Sequence, residues 1–91
     1  MHAPAVRHST TPNFWSCYRA LPAEVRRLAR KNYRLLQADP KHPSLHFKPV
    51  GPNTWSARVG MKYRAVAARV AGGFVWFWIG PHDAYERLIQ G

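Results

Sequence analysis

The sequence predicts an α+β domain: two N-terminal antiparallel helices packed on a twisted antiparallel sheet of about four strands, with a short C-terminal helix. Three observations predict it. Apolar residues recur at helical spacing as far as Ala38; past Pro43 they fall into short runs rich in β-branched and aromatic side chains. Turn signals at Gly51-Pro52-Asn53, Gly60-Met61 and Ala71-Gly72-Gly73 separate those runs, so consecutive strands are joined by hairpins. With 91 residues, no repeat and no linker, the chain makes one domain.

Residues 1–10 read as a frayed arm or a short edge strand, with little but Val6 to favour extension. Thr11-Pro12 then starts a helix, Thr as N-cap and Pro at the first helical position, that runs to Ala20 with Phe14, Trp15, Cys17 and Tyr18 on its apolar side. Leu21-Pro22 breaks and restarts the chain. Glu24 complements the positive end of a second helix running to Ala38, with Val25, Leu28, Ala29, Leu35 and Leu36 on one side and Arg26, Arg27, Arg30, Lys31 and Arg34 on the other. Asp39-Pro40 ends it, because the residue before proline is driven out of the α region. Strands are expected at 44–50, 54–59, 62–70 and 73–79. The last two are apolar on both faces, as central strands covered by helices are. Gly80-Pro81 closes the sheet, and Asp83-Ala84-Tyr85-Glu86 reads as a capping box opening the last helix.

Fourteen Lys and Arg against four acidic residues give a formal charge of +10, which implies an anionic partner: a nucleic acid, an acidic protein or a membrane surface. A hydrophobic fraction of 46% with four Trp excludes a disordered basic tail. The longest uncharged apolar run, Ala71 to Ile79, is far short of the ~20 residues of a membrane span. The N-terminus has no apolar signal region, so a cytoplasmic protein is expected. A single cysteine, Cys17, excludes an internal disulfide and a Cys-built zinc site. His2, His8 and His42 lack metal-ligand spacing, so neither a metal nor a cofactor is expected.

Strand alternation locates the candidate chemistry. It turns Leu45 and Phe47 one way and His46 and Lys48 the other. Trp55, Ala57 and Val59 point inward, leaving Ser56 and Arg58 outward; Lys62 and Arg64 share a face of the third strand. Lys48, Arg58 and Arg64 then converge on one side of the sheet, with His82 at the exit of the last strand and Tyr85 three residues on. Guanidinium and ammonium groups bind phosphate and stabilise the charge of a pentavalent phosphorus. Histidine exchanges protons near neutral pH, and tyrosine can bond a phosphate or stack on a base. Such a set is sufficient for metal-free RNA cleavage by attack of the ribose 2′-OH on the adjacent phosphate.

The ordered segments LPAEVR (21–26), DPKHPSLHFK (39–48), WSARVG (55–60), YRA (63–65) and WIGPHDAYE (78–86) resemble the RelE/ParE superfamily of type II toxins, from about residue 12 to residue 90. The resemblance implies an α/β toxin inhibited by an acidic antitoxin encoded beside it. RelE-like members cut mRNA in the ribosomal A site without a metal; ParE-like members act on DNA gyrase. On this likeness Arg64 is the strand arginine that contacts the phosphate and transition state, and Lys48 and Arg58 are basic residues on neighbouring strands; Lys62, sharing the Arg64 face, is the further phosphate-binding candidate. His82 is the general acid/base, Tyr85 a C-terminal catalytic tyrosine, and His46 a second proton-transfer group where some relatives use a carboxylate. The expectation is a ribosome-dependent mRNA endonuclease. The alternatives are a ParE-type gyrase inhibitor and a non-toxic relative that acts only with its antitoxin.

Overall fold

The computed structural model describes residues 6–90. In chain order the elements are β1 (Arg7–Thr10), α1 (Pro12–Arg19), α2 (Ala23–Ala38), a 3-10 turn (Pro43–Leu45), β2 (Lys48–Gly51), β3 (Thr54–Val59), β4 (Tyr63–Val70), β5 (Gly73–Pro81) and α3 (His82–Gln90). Strands β2 to β5 form the expected antiparallel meander. The sheet has five strands rather than about four, in the order β1-β5-β4-β3-β2, and it is mixed because β1 pairs parallel to β5.

β1 forms without strong local propensity because its partner admits it. A Cβ at Gly73 would lie 2.0 Å from the Arg7 carbonyl oxygen, so only glycine lets the strands approach this closely. The Arg7 N–H then donates to the Gly72 carbonyl (2.9 Å), and Trp76 Nε1 donates to His8 Nδ1 (3.0 Å). Residues 1–5 of the expected arm lie outside the described residues.

α1 and α2 begin and end where the sequence places their signals. The Thr11 hydroxyl accepts from the Phe14 N–H at 3.1 Å to cap α1. Pro22 precedes α2, and Asp39 closes it through an N–H bond to the Leu35 carbonyl at 2.7 Å. α1 and α2 cover one face of the sheet. There Leu21, Val25, Leu36 and Leu45 pack on Ala57, Val59, Ala65, Ala67, Trp76 and Ile79 to form the core. An irregularity opposite Val66 and Ala67 skips Phe77, which keeps both Trp76 and Ile79 on this face.

α3 packs on β4 and β5 and covers the opposite face through Tyr85, which is buried together with Val66 and Ser56. Three expectations are corrected here. Ser56 is not outward: α3 lies over it, leaving it 3% exposed. α3 starts at His82, directly after β5 has run on to Pro81, so Asp83 stands inside the first turn and is not the cap of a capping box. Residues 44–47 are not strand. Pro43 opens a 3-10 turn in which His42 Nδ1 accepts from the Ser44 N–H (3.2 Å), and His46 leaves it in the left-handed region at φ 44°. The alternation that put His46 beside Lys48 therefore fails.

Candidate functional site

Arg58 of β3 and Arg64 of β4 are direct cross-strand partners on the α3 face. Like charges placed opposite each other on a sheet repel, so this pairing opposes folding. Burial first, then the neighbouring Arg58 charge, push the Arg64 pKa below its ordinary value; Tyr85 and Glu86 act in the other direction. Arginine stays charged even so. Arg58 Nε is buried without a hydrogen-bond partner among the described residues. Arg64 Nη1 is spent on its own hairpin, donating to the carbonyls of Tyr63 (2.8 Å) and Met61 (3.4 Å). Two half-buried cations with no carboxylate among the described residues bonded to either form a site that an anion would stabilise.

α3 supplies the rest. The His82 N–H donates to the Lys62 carbonyl at 2.8 Å, which fixes the start of the helix against the β3–β4 turn. His82 Nε2 lies 3.1 Å from Glu86 Oε1, one helical turn on, with both side chains about two-fifths exposed. The Tyr85 ring stands 5.9 Å from the His82 ring and 6.0 Å from the Arg64 guanidinium carbon, within cation–π range. Its hydroxyl points inward and donates to Ser56 Oγ at 3.2 Å. Tyr85 thus carries Arg64 on its ring and anchors α3 with its hydroxyl.

Lys48 pairs with Ser56 across β2 and β3, which places it on the same face and exposed. Lys62 is exposed in the turn before β4 begins, rather than on the strand with Arg64. His46 is exposed after the 3-10 turn, and among the described residues no hydrogen bond, ion pair or ring contact joins it to His82, Arg64 or Tyr85. Sequence reasoning missed Glu86 and Ser56. The i,i+4 spacing of His82 and Glu86 carries a signal for the first, but in the sequence the same glutamate also fits a capping box. Ser56 needed knowledge of which helix covers which face. Among the described residues no three His, Cys, Asp or Glu side chains gather to hold a metal ion, and no helix is long and apolar enough to cross a membrane.

The helix side of the sheet carries a different feature, a cleft of about 490 Å³ between α1, α2 and the sheet. Phe14, Trp15, Tyr18, Tyr33 and Trp76 contribute its aromatic lining, and Arg30 and Arg34 of α2 also border it. Part of the basic α2 face is used internally: Arg26 donates to the Leu21 carbonyl and Arg30 to the Tyr18 hydroxyl, tying α2 to the end of α1.

No family model and no curated protein matches the sequence. Solved structures do match the fold. The toxin–antitoxin complex RelB–RelE of Methanococcus jannaschii superposes with a TM-score of 0.70 at 13% identity, over 88% of this chain and 96% of that one. The RelBE2 complex of Mycobacterium tuberculosis gives 0.66 at 20% identity, over 88% and 100%. The YoeB/ParE toxin of Agrobacterium tumefaciens gives 0.63 at 15%, over 85% and 99%. The chain has the RelE/ParE toxin fold.

Proposed function

We propose that this protein is the toxin of a toxin–antitoxin pair and acts as a metal-independent endoribonuclease on ribosome-bound mRNA. The observation that carries the reading is the unneutralised Arg58–Arg64 pair with His82 at the adjoining helix start. In the reaction the ribose 2′-oxygen attacks the adjacent phosphorus and the P–O5′ bond breaks. The 2′-hydroxyl proton leaves to a base and the 5′-oxygen takes one up, giving a 2′,3′-cyclic phosphate and a 5′-hydroxyl. Arg64 and Arg58 stabilise the extra negative charge on phosphorus, with Lys48 and Lys62 drawing in the flanking backbone. His82, steadied by Glu86, transfers a proton. Tyr85 holds the Arg64 guanidinium on its ring, and His46 has no part in this arrangement.

An acidic antitoxin is the protein partner this reading requires. The apolar cleft bordered by Arg30 and Arg34 has the chemistry to take an acidic segment with an apolar side. The RelB–RelE complexes among the structural neighbours support that pairing.

Primer extension on a translated reporter mRNA tests the activity, with wild type beside His82→Ala and both folds verified by circular dichroism. Ribosome-dependent cuts within codons, reduced about 10²-fold in His82→Ala, are expected. Growth arrest with intact mRNA would contradict the reading, and a gyrase supercoiling assay would then test the ParE-type alternative.

A further inference from the structure

A second cleft, of about 480 Å³, lies between the β3–β4 turn and the start of α3, lined by residues 61–64 on one side and 81–83 on the other. Its charged members account for themselves: Lys62 and Arg64 attract phosphate, His82 moves a proton, and Asp83 sits in the first turn of α3. Met61 has no such part. It is 85% exposed, the most exposed large hydrophobic side chain among the described residues. Scattered surface apolar residues are ordinary, but this one stands in the wall of a cationic cleft on a turn that is held from both sides. Gly60 takes φ +68° at the turn, and a Cβ there would lie 2.8 Å from Leu28 Cδ2, so the turn rests on α2. Arg64 bonds the Met61 carbonyl and His82 bonds the Lys62 carbonyl, which ties the same turn to β4 and α3. A flexible, polarizable side chain is thus presented from a fixed backbone beside the phosphate-binding groups.

Proteins that read single-stranded RNA splay out a base and pack it on a side chain next to the backbone contacts. A thioether makes favourable contacts with aromatic rings and adapts to their shape. We infer that Met61 is a specificity-determining residue: the cleft takes a nucleotide whose phosphate lies on Arg64 and Lys62 and whose base packs against the Met61 side chain. The inference rests on the ribonuclease reading.

The test is cleavage of mRNA-loaded ribosomes by wild type, Met61→Ala and Met61→Leu, read codon by codon. Because Met61 is exposed, the variants should melt as the wild type does. Met61→Ala should lose roughly 3- to 10-fold at the preferred codons and show a flatter preference, while Met61→Leu keeps most of both. Wild-type rate and preference in Met61→Ala would overturn the inference and leave the nuclease reading standing. Relief of toxicity with cleavage unchanged would make Met61 a protein contact and also overturn it. No cleavage by wild type would remove both.

Discussion

The sheet face beneath α1 and α2 is filled by Leu21, Leu36, Leu45, Trp76 and Ile79, and among the described residues no charged side chain is buried in it. The face beneath α3 holds the one polar side chain that is buried among the described residues outside the aromatics, Ser56, and next to it two facing arginines. The first face gains stability from every contact. The second is arranged against stability, with like charges opposed and a buried guanidinium nitrogen that has no partner among the described residues, and α3 is held over it by the Tyr85–Ser56 bond and by the His82 N–H on the Lys62 carbonyl. Such a division separates the cost of the site from the core that offsets it. Substitutions on the two faces should therefore part company, those under α1 and α2 lowering stability and those of the arginine pair and His82 lowering activity.

The largest stability effect belongs to the first face. Leu45 is 1% exposed and packs in the centre of the core, so Leu45→Ala should cost about 2–5 kcal/mol in urea unfolding. The fraction that stays folded should cleave normally. A smaller effect sharpens the contrast at the anchor of α3. Tyr85→Phe removes only the hydroxyl bonded to Ser56, so it should cost about 1 kcal/mol, a fall in Tm of roughly 4–8 °C. The ring still carries Arg64, so cleavage should remain within about twofold of wild type; a 10²-fold loss would instead make the hydroxyl catalytic.

The smallest effect lies at the β1 edge. His8 is half-buried against Phe74 and Trp76, and burial lowers its pKa below 6.5. Its Nδ1 accepts from Trp76, which requires the neutral ring. The unfolded chain therefore binds the proton more readily than the folded one. The His8 contribution is complete above about pH 6.5 and is lost as pH falls through and below that value. Wild type should lose Tm between about pH 7.5 and 5.5, and His8→Gln, which can accept from Trp76 without titrating, should lose less.

The sequence was most informative where structure is set locally. Thr11-Pro12 starts α1, Asp39 ends α2, and the three turn signals fall between the strands of the meander, because caps, prolines and hairpin turns act over a few residues. Alternation likewise put Arg58, Arg64 and Lys48 on one face, where they stand. What escaped depends on distant partners. β1 is a strand because Gly73 leaves room for it, and Ser56 is buried because a helix more than twenty residues later folds over it. The position of His46 turned on a 3-10 turn started by Pro43, and a period-two reading cannot register a single left-handed residue.

The most direct test of the α3-face site is single-turnover cleavage of mRNA-loaded ribosomes by Arg64→Ala. Removing this charge relieves the repulsion with Arg58 while giving up the bonds to the Tyr63 and Met61 carbonyls, so the variant should stay within about 1 kcal/mol of wild-type stability. It should still cleave about 10²-fold more slowly. A variant that is both stable and fully active would show that the paired arginines are not where the phosphate is held.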